Sequence, residues 1–376
     1  MTDSQHSRAK PRVFMPIRLE RRLGQPRSLS WLVPMLSIAA ALVLGAILLL
    51  STGRNPFHVY QRIFERGFGS TSAMRGTLIA ATPLAFTGLC AAAAFRLGTI
   101  NIGGEGQLYA GAIGASWAAI RFGGGTPNGV TFLLMIAAGA FCGAFWAGIA
   151  GLLRARFSTN EIITTLMLNY VAAIVLDYLI FNSRSYWRDP ASVGFPAGKH
   201  IPTRSVWTSL TLGGVEIPRG FILAIAVGFA LWFLYKRTTY GFEVDVIAES
   251  PAAARYAGMN TRRKIFSVMA LSGALAGLGG ASDVGDFRHV LDAKGIQLAG
   301  YGYTGIVVAA LARRHPVATV VVAVIIGGLT NAGYALQGPD FPAGLVGTLQ
   351  GLILFTSVAG EILTRYRIRR VVRVAS

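Results

Sequence analysis

Apolar and polar positions alternate along this chain on a long scale: hydrophobic runs of roughly 20 residues recur between short polar stretches. At about 1.5 Å per residue, such a run matches the hydrocarbon thickness of a bilayer. The pattern predicts ten helical spans, near 31–50, 74–94, 101–120, 131–152, 162–181, 219–235, 265–282, 296–312, 316–336 and 343–363. The fold class is therefore all-α, a polytopic integral membrane protein with one transmembrane domain over 31–363. A basic segment precedes it at 1–30 and a basic tail follows at 364–376. An outward loop occupies 182–218 and an inward loop 236–264. The eighth span is the least apolar, because Gln297, Tyr301 and Tyr303 fall in its first half.

Composition sharpens this picture. Of 376 residues, 53% are hydrophobic and only 14% charged, yet the net charge is +19. About two thirds of the basic residues flank spans on one side if both termini lie inside, which is the bias that orients membrane proteins. The charge thus sets orientation and faces anionic lipid, and nucleic-acid binding is set aside. An even number of spans keeps the tail Arg365–Arg373 inside. Cys90 and Cys142 both fall within spans and predict no disulfide framework. The apolar stretch after the Arg-rich start is longer than a cleavable signal core, so it reads as a retained first span.

The most informative polar stretch is Ala248–Lys264, within the inward loop. Ser250 is a good N-cap, Pro251 suits the first helical position, and Ala252, Ala253 and Ala254 are strong helix formers. Arg255, Tyr256 and Ala257 follow, and Gly258 supplies a left-handed stop. The result is a helix of roughly seven residues, too short to be stable without something to pack on.

Several intramembrane polar groups need partners. The third span opens Asn101-Ile-Gly-Gly-Glu-Gly-Gln107. This is either a broken element lining a route through the bilayer or a close-packed helix start with Glu105 near the interface. A similar pattern, Gln297-Leu-Ala-Gly-Tyr-Gly-Tyr303, opens from the opposite side, which suggests an inverted repeat relating spans two to five and seven to ten. Ser158-Thr-Asn-Glu161 reads as a capping box, giving Glu161 a structural role. Asn169 and Asn331 lie deep in spans, where each bonds either a neighbouring helix or a polar solute. Gly139, Gly143 and Ala147, and Gly273 and Gly277, recur at four-residue spacing as helix-packing surfaces.

Catalytic and metal-ligand patterns are absent. The five histidines are scattered, and Gly194–His200 lacks the spacing and the Ser or Thr of a phosphate loop. The one outward acidic group, Asp283, Asp286, His289 and Asp292, reads as a solvated loop. If ATP drives this chain, the ATPase is a separate polypeptide.

Three stretches carry a family resemblance: Phe95–Leu108, Asn160–Tyr170 and Ala252–Gly258. They resemble the permease subunits of bacterial ABC importers in the branched-chain amino acid and ribose permease superfamily. The nearest branch is the one for nucleosides and simple sugars, which depends on a basic-membrane-protein type lipoprotein. The resemblance covers roughly residues 30–365 and departs at Asp245 and Ala248, where the family pattern carries an Arg and a Gly. It implies a multi-pass inner-membrane protein with both termini cytoplasmic and no catalytic residue or cofactor of its own. ATP and Mg would be bound by an ABC ATPase, on which the helix 250–258 would dock as a coupling helix. A second, non-identical permease and an extracytoplasmic solute-binding protein complete the expected set, the latter meeting segment 182–218 at Tyr186, Trp187 and Trp207. Asn101, Glu105, Gln107, Asn169, Gln297 and Tyr301 are the candidates to line or support the path of a small polar solute moved by alternating access. The alternatives are an ion-coupled secondary transporter, for which Glu105 is the one plausible deep acid, and a polytopic enzyme using the outward acids.

Overall fold

The computed structural model describes residues 17–21, 27–182, 184–192, 194–336 and 344–370. Most of the basic segment 1–30, the end of the tail 364–376 and the start of the predicted span 343–363 lie outside the described residues.

A short strand β1 (Ile17–Arg21) leads into α1 (Arg27–Ser51). Next comes α2 (Pro56–Phe68), which the apolar-run pattern did not predict. The Asn55 side chain caps it by accepting from the Phe57 amide at 3.0 Å, and Pro56 opens it. Then follow α3 (Thr71–Arg96), α4 (Gly104–Phe122), α5 (Asn128–Phe157) and α6 (Glu161–Phe181). The segment 182–218 folds over one end of the bundle and includes the hairpin β2 (Leu210–Leu212) and β3 (Val215–Ile217). After it run α7 (Arg219–Arg237), α8 (Thr239–Glu249) and α9 (Pro251–Tyr256). A long helix α10 (Thr261–Ser282) winds into a π-helical turn at Asp283–Arg288. The chain closes with α11 (Ala293–Ala299), α12 (Tyr301–Leu311), α13 (Pro316–Ala335), α14 (Leu345–Arg365) and β4 (Tyr366–Arg370). Strand β4 pairs antiparallel with β1, so the two flanks of the membrane domain meet.

Among the described residues, seven helices are long and apolar enough to cross a membrane: α1, α3, α5, α6, α7, α10 and α13. The other three expected spans fall on α4, on the broken pair α11 and α12, and on α14, which do not meet that measure. The expected count of ten is thus not reached on length and apolarity alone.

Helix α3 is the buried axis, with an almost continuous buried run from Thr77 to Ala94. Beside it, α4, α5 and α10 approach to backbone contact. The two small-residue rows foreseen in the sequence face each other: a methyl group on Gly277 would overlap the Gly139 carbonyl, and one on Gly273 would overlap Gly143 and Ala147. Gly111 of α4 meets Gly277 as well. In a bilayer, such approach is the main source of helix association, because lipid tails are as apolar as leucine.

One local expectation fails. Ser158 does not cap α6; it ends α5 in a left-handed conformation at φ 55°. The N-cap is Asn160, whose side-chain oxygen accepts from the Ile162 amide at 2.9 Å. Glu161 becomes the first helical residue and is buried, pairing with Arg154 at 3.2 Å and accepting from the Ile100 amide. Two good cap residues lie two positions apart, and the left-handed stop needed after α5 takes the first of them.

Candidate functional site

After Arg96 the chain does not leave the bundle. Residues 97–103 turn back along α3, so that Asn101 reaches Cys90, which lies on α3 six residues before Arg96, or about 9 Å along its axis. Helix α4 therefore begins inside the bundle. Asn101 is sealed from solvent: its amide nitrogen donates to Gln107 at 3.0 Å and to Ser272 of α10 at 2.8 Å. Its oxygen accepts from the Gly103 amide at 2.8 Å and from Gln107 at 3.0 Å. Ser272 in turn donates to the Cys90 carbonyl.

The second glycine-rich segment breaks in the same region. Helix α11 ends at Ala299, Gly300 takes φ +58°, and α12 starts afresh at Tyr301. With eleven residues, α12 is about 16 Å long, half a bilayer. Thr87 of α3 donates to the Tyr301 carbonyl at 2.9 Å, fixing the break against the buried axis.

Neither α4 nor α12 carries a side-chain cap of its own, since both N-cap residues are glycines. The missing acceptors come from neighbouring helices. Asn169 of α6 accepts from the Gly106 amide of α4 at 2.9 Å and donates to the Ile102 carbonyl at 3.0 Å. Glu105 of α4 accepts from the Gly302 and Tyr303 amides in the first turn of α12, and from the Tyr109 hydroxyl at 2.7 Å. Capping thus passes from α6 to α4 to α12, which closes the two breaks against each other. A cap that satisfies an orphan helix amide at membrane depth has no substitute in water. Replacing Glu105 by alanine should therefore destabilise the fold by about 1–3 kcal/mol for each orphaned amide. Glu105→Gln, which keeps an acceptor, should melt closer to the wild type. Equal melting of the two variants in detergent would show that Glu105 is not the cap.

Five of the six candidate path residues, Asn101, Glu105, Gln107, Asn169 and Tyr301, are buried. Four of these join directly in this lattice of bonds, and Tyr301 holds the break of α12. Gln297 stands apart, donating to Asp177 of α6 at 3.0 Å and to the Ala173 carbonyl at 3.3 Å. Asn331 donates to the Arg66 and Ala73 carbonyls and so ties α13 to α2 and α3. Sequence reasoning missed Cys90, Ser272, Tyr109, Asp177 and Tyr303 as partners. Only Tyr303 carried a signal, as the last residue of the repeated glycine pattern.

The acidic group at the end of α10 is structural. Asp292 caps α11 through the Gly295 amide at 3.0 Å, and Asp286 receives the Gly220 amide at the start of α7. Asp283 and Asp292 both pair with Arg288, which the sequence reading passed over although it lies four residues before Asp292. His289 takes φ 56°, and burial lowers its pKa below the ordinary histidine value. Among the described residues no group of His, Cys, Asp or Glu is placed to hold a metal ion. The neighbouring loop also differs from expectation, because Trp207 is not an exposed platform. It packs edge-on against Phe132, and its amide donates to the Gly285 carbonyl, while Trp187 donates to Ser116. Tyr186 stays partly open.

At the opposite end stands α9. The Ser250 side chain accepts from the Ala253 amide, Pro251 opens the helix, and Gly258 follows it at φ +78°. Ala254 is buried beneath, Ala253 faces outward, and Tyr256 is 97% exposed. A cavity of about 860 Å³ lies between α9, the ends of α3 and α5 and the start of α10. Asp245, one of the two positions that depart from the family pattern, bonds Arg96 with both oxygens at 2.7 and 2.6 Å, tying α8 to the end of α3. Arg96 also stacks over Tyr235.

Comparison with known proteins agrees with this architecture. The family described as branched-chain amino acid transport system / permease component matches residues 73–358. The glucose ABC transporter permease protein of Haloferax volcanii is 31% identical over 94% of this chain and 93% of its own length. The guanosine ABC transporter permease protein of Bacillus subtilis is 33% identical over 79% of this chain and 84% of its own. The nucleoside ABC transporter permease protein of Lactococcus lactis subsp. cremoris is 30% identical over 86% of this chain and 89% of its own.

Proposed function

We propose what this protein carries and what it assembles with from one premise: the chain belongs to the family of branched-chain amino acid transport system permease components. It is the membrane permease subunit of an ABC transporter and not a catalytic enzyme; hydrolysis of ATP falls to another subunit. The solute is a nucleoside or a simple sugar, moved inward by alternating access. Two of the three relatives above, named for guanosine and for nucleosides, support the first of these.

The observation that carries the reading is α9. A six-residue helix with caps at both ends, an exposed Tyr256 and one buried side chain, Ala254, is a poor structure for a lone protein. It suits a docking element whose other half is supplied by a partner. The ABC ATPase, with its own ATP and Mg, is that partner. A second, non-identical permease and an extracytoplasmic binding protein complete the assembly, the binding protein meeting the loop end that carries Tyr186. On this reading α9 and both termini are cytoplasmic. The β1–β4 pairing supports placing the termini together, and an even number of crossings then requires at least one helix besides the seven apolar ones. Ten crossings, with α4, α11–α12 and α14 added, satisfy this.

Gentle purification of the C-terminally tagged chain from native membranes tests the assembly. An ATPase bearing a phosphate-binding loop and a second permease should co-purify, and guanosine should stimulate the reconstituted complex. Recovery of this chain alone would count against the reading.

A further inference from the structure

The side of α6 that faces α11 and α12 is poorly suited to lipid. Tyr170 is 60% exposed and Tyr303 44%. Tyr170 lies nine residues into a 21-residue helix, so its ring stands about 14 Å from one end and at the middle of the hydrocarbon layer. Tyrosines of the interfacial belt sit at headgroup level, and depth therefore rules out that explanation here. Tyr303 is held at the same depth by Asn169, which donates to its hydroxyl at 3.4 Å. Asp177 follows Tyr170 by seven residues, two helical turns, on the same stripe of α6. It pairs with Lys294 at 3.0 Å and accepts from Gln297 at 3.0 Å. Tyr178, 63% exposed, stands beside it. Two phenols at mid-depth and an ion pair with an amide above them form a polar, aromatic track along one side of the bundle. The ion pair and amide stand about 6 Å from the end of α6, where water reaches them, and the two phenols carry that polar face on to mid-depth.

We propose that this track, from Asp177, Tyr178 and Gln297 to Tyr170 and Tyr303, is the wall of the solute path and selects solutes with an aromatic base. The inference rests on the transport reading above and goes further, favouring a nucleoside over a simple sugar. Flat rings hold a purine or pyrimidine by stacking, and every base offers a π-face to them. The phenol hydroxyls, Gln297 and the Asp177–Lys294 pair offer donors and acceptors to the ribose hydroxyls and base edges. The buried lattice of Asn101, Glu105 and Asn169 lies behind the wall and holds the break in α12 that brings Tyr303 forward.

The test is guanosine uptake by cells expressing the complete transporter, with assembly measured in parallel by co-purification. Tyr170→Ala and Tyr303→Ala should each reduce guanosine uptake roughly ten- to hundredfold, the loss of one stacked base contact. Tyr170→Phe and Tyr303→Phe should recover most of it, since the ring is kept. Alanine variants that carry guanosine at the wild-type rate would overturn the proposal. So would loss of the second permease from the complex, which would make this face a subunit contact. A wild-type complex that carries glucose but no nucleoside would overturn the choice of an aromatic solute and leave the permease reading standing.

Discussion

Placing arginine at Ala253 is expected to abolish solute-stimulated ATP hydrolysis and uptake while the chain still inserts and folds. Ala253 is exposed on α9. Ala254, one position on, is buried against the bundle. The two substitutions therefore separate docking from folding. An arginine pressed into a partner's groove without a countercharge costs about 3–5 kcal/mol, enough to weaken docking by roughly two to three and a half orders of magnitude. Ala254→Arg should instead lower the yield of folded protein. Gly258→Val acts by another route: the position needs φ +78°, which a β-branched residue rarely adopts, so α9 loses its stop. Reconstituted complex with Ala253→Arg and wild-type stimulated ATPase activity would refute the assignment of α9.

Gly277→Leu is expected to prevent assembly of the bundle altogether. At this position the new side chain meets backbone atoms of Gly139 and Gly143 rather than the flexible end of a side chain, so nothing can swing aside. Overpacking a close interior typically costs 1–3 kcal/mol, and occasionally more; two helix pairs forced apart at once belong at the upper end. Even Gly277→Ala should lower the melting temperature measurably. Gly347→Ala, with open space around the position, is the control and should leave melting unchanged or slightly raised. Fluorescence-detected gel filtration of the solubilised protein reads the difference directly. A monodisperse, wild-type-like peak for Gly277→Leu would show that α5 and α10 are not held at backbone contact.

The long helices were legible because membrane insertion selects for a simple local property. Predicted spans 162–181 and 316–336 differ from α6 and α13 by a single residue at one end, since a polar N-cap, Asn160 or His315, opens each apolar run. Helix α9 was legible for a related reason: its caps are chemistry of adjacent residues. What depends on distant neighbours was not. That Glu105 belongs to the amides of α12, and Asn169 to those of α4, follows only from how three helices meet. Helix α2 was missed because its apolar residues, such as Phe57, Val59 and Phe64, alternate with charges instead of forming a run. Trp207 looked like a surface platform because a loop position says nothing about whether the loop folds back onto the bundle.

The backbone contact among α4, α5 and α10 has a mechanical consequence. With glycine facing glycine at Gly111, Gly277, Gly139 and Gly143, these helices have no side-chain layer in which to slide or tilt. On the transport reading proposed above, they are expected to move as one block. On the docking role proposed for α9, any displacement it delivers has to be taken up by helices outside this trio. Distance probes attached at the two ends of the α5–α10 pair should thus report one constant separation through the whole transport cycle, a fixed ruler against which every moving helix can be measured.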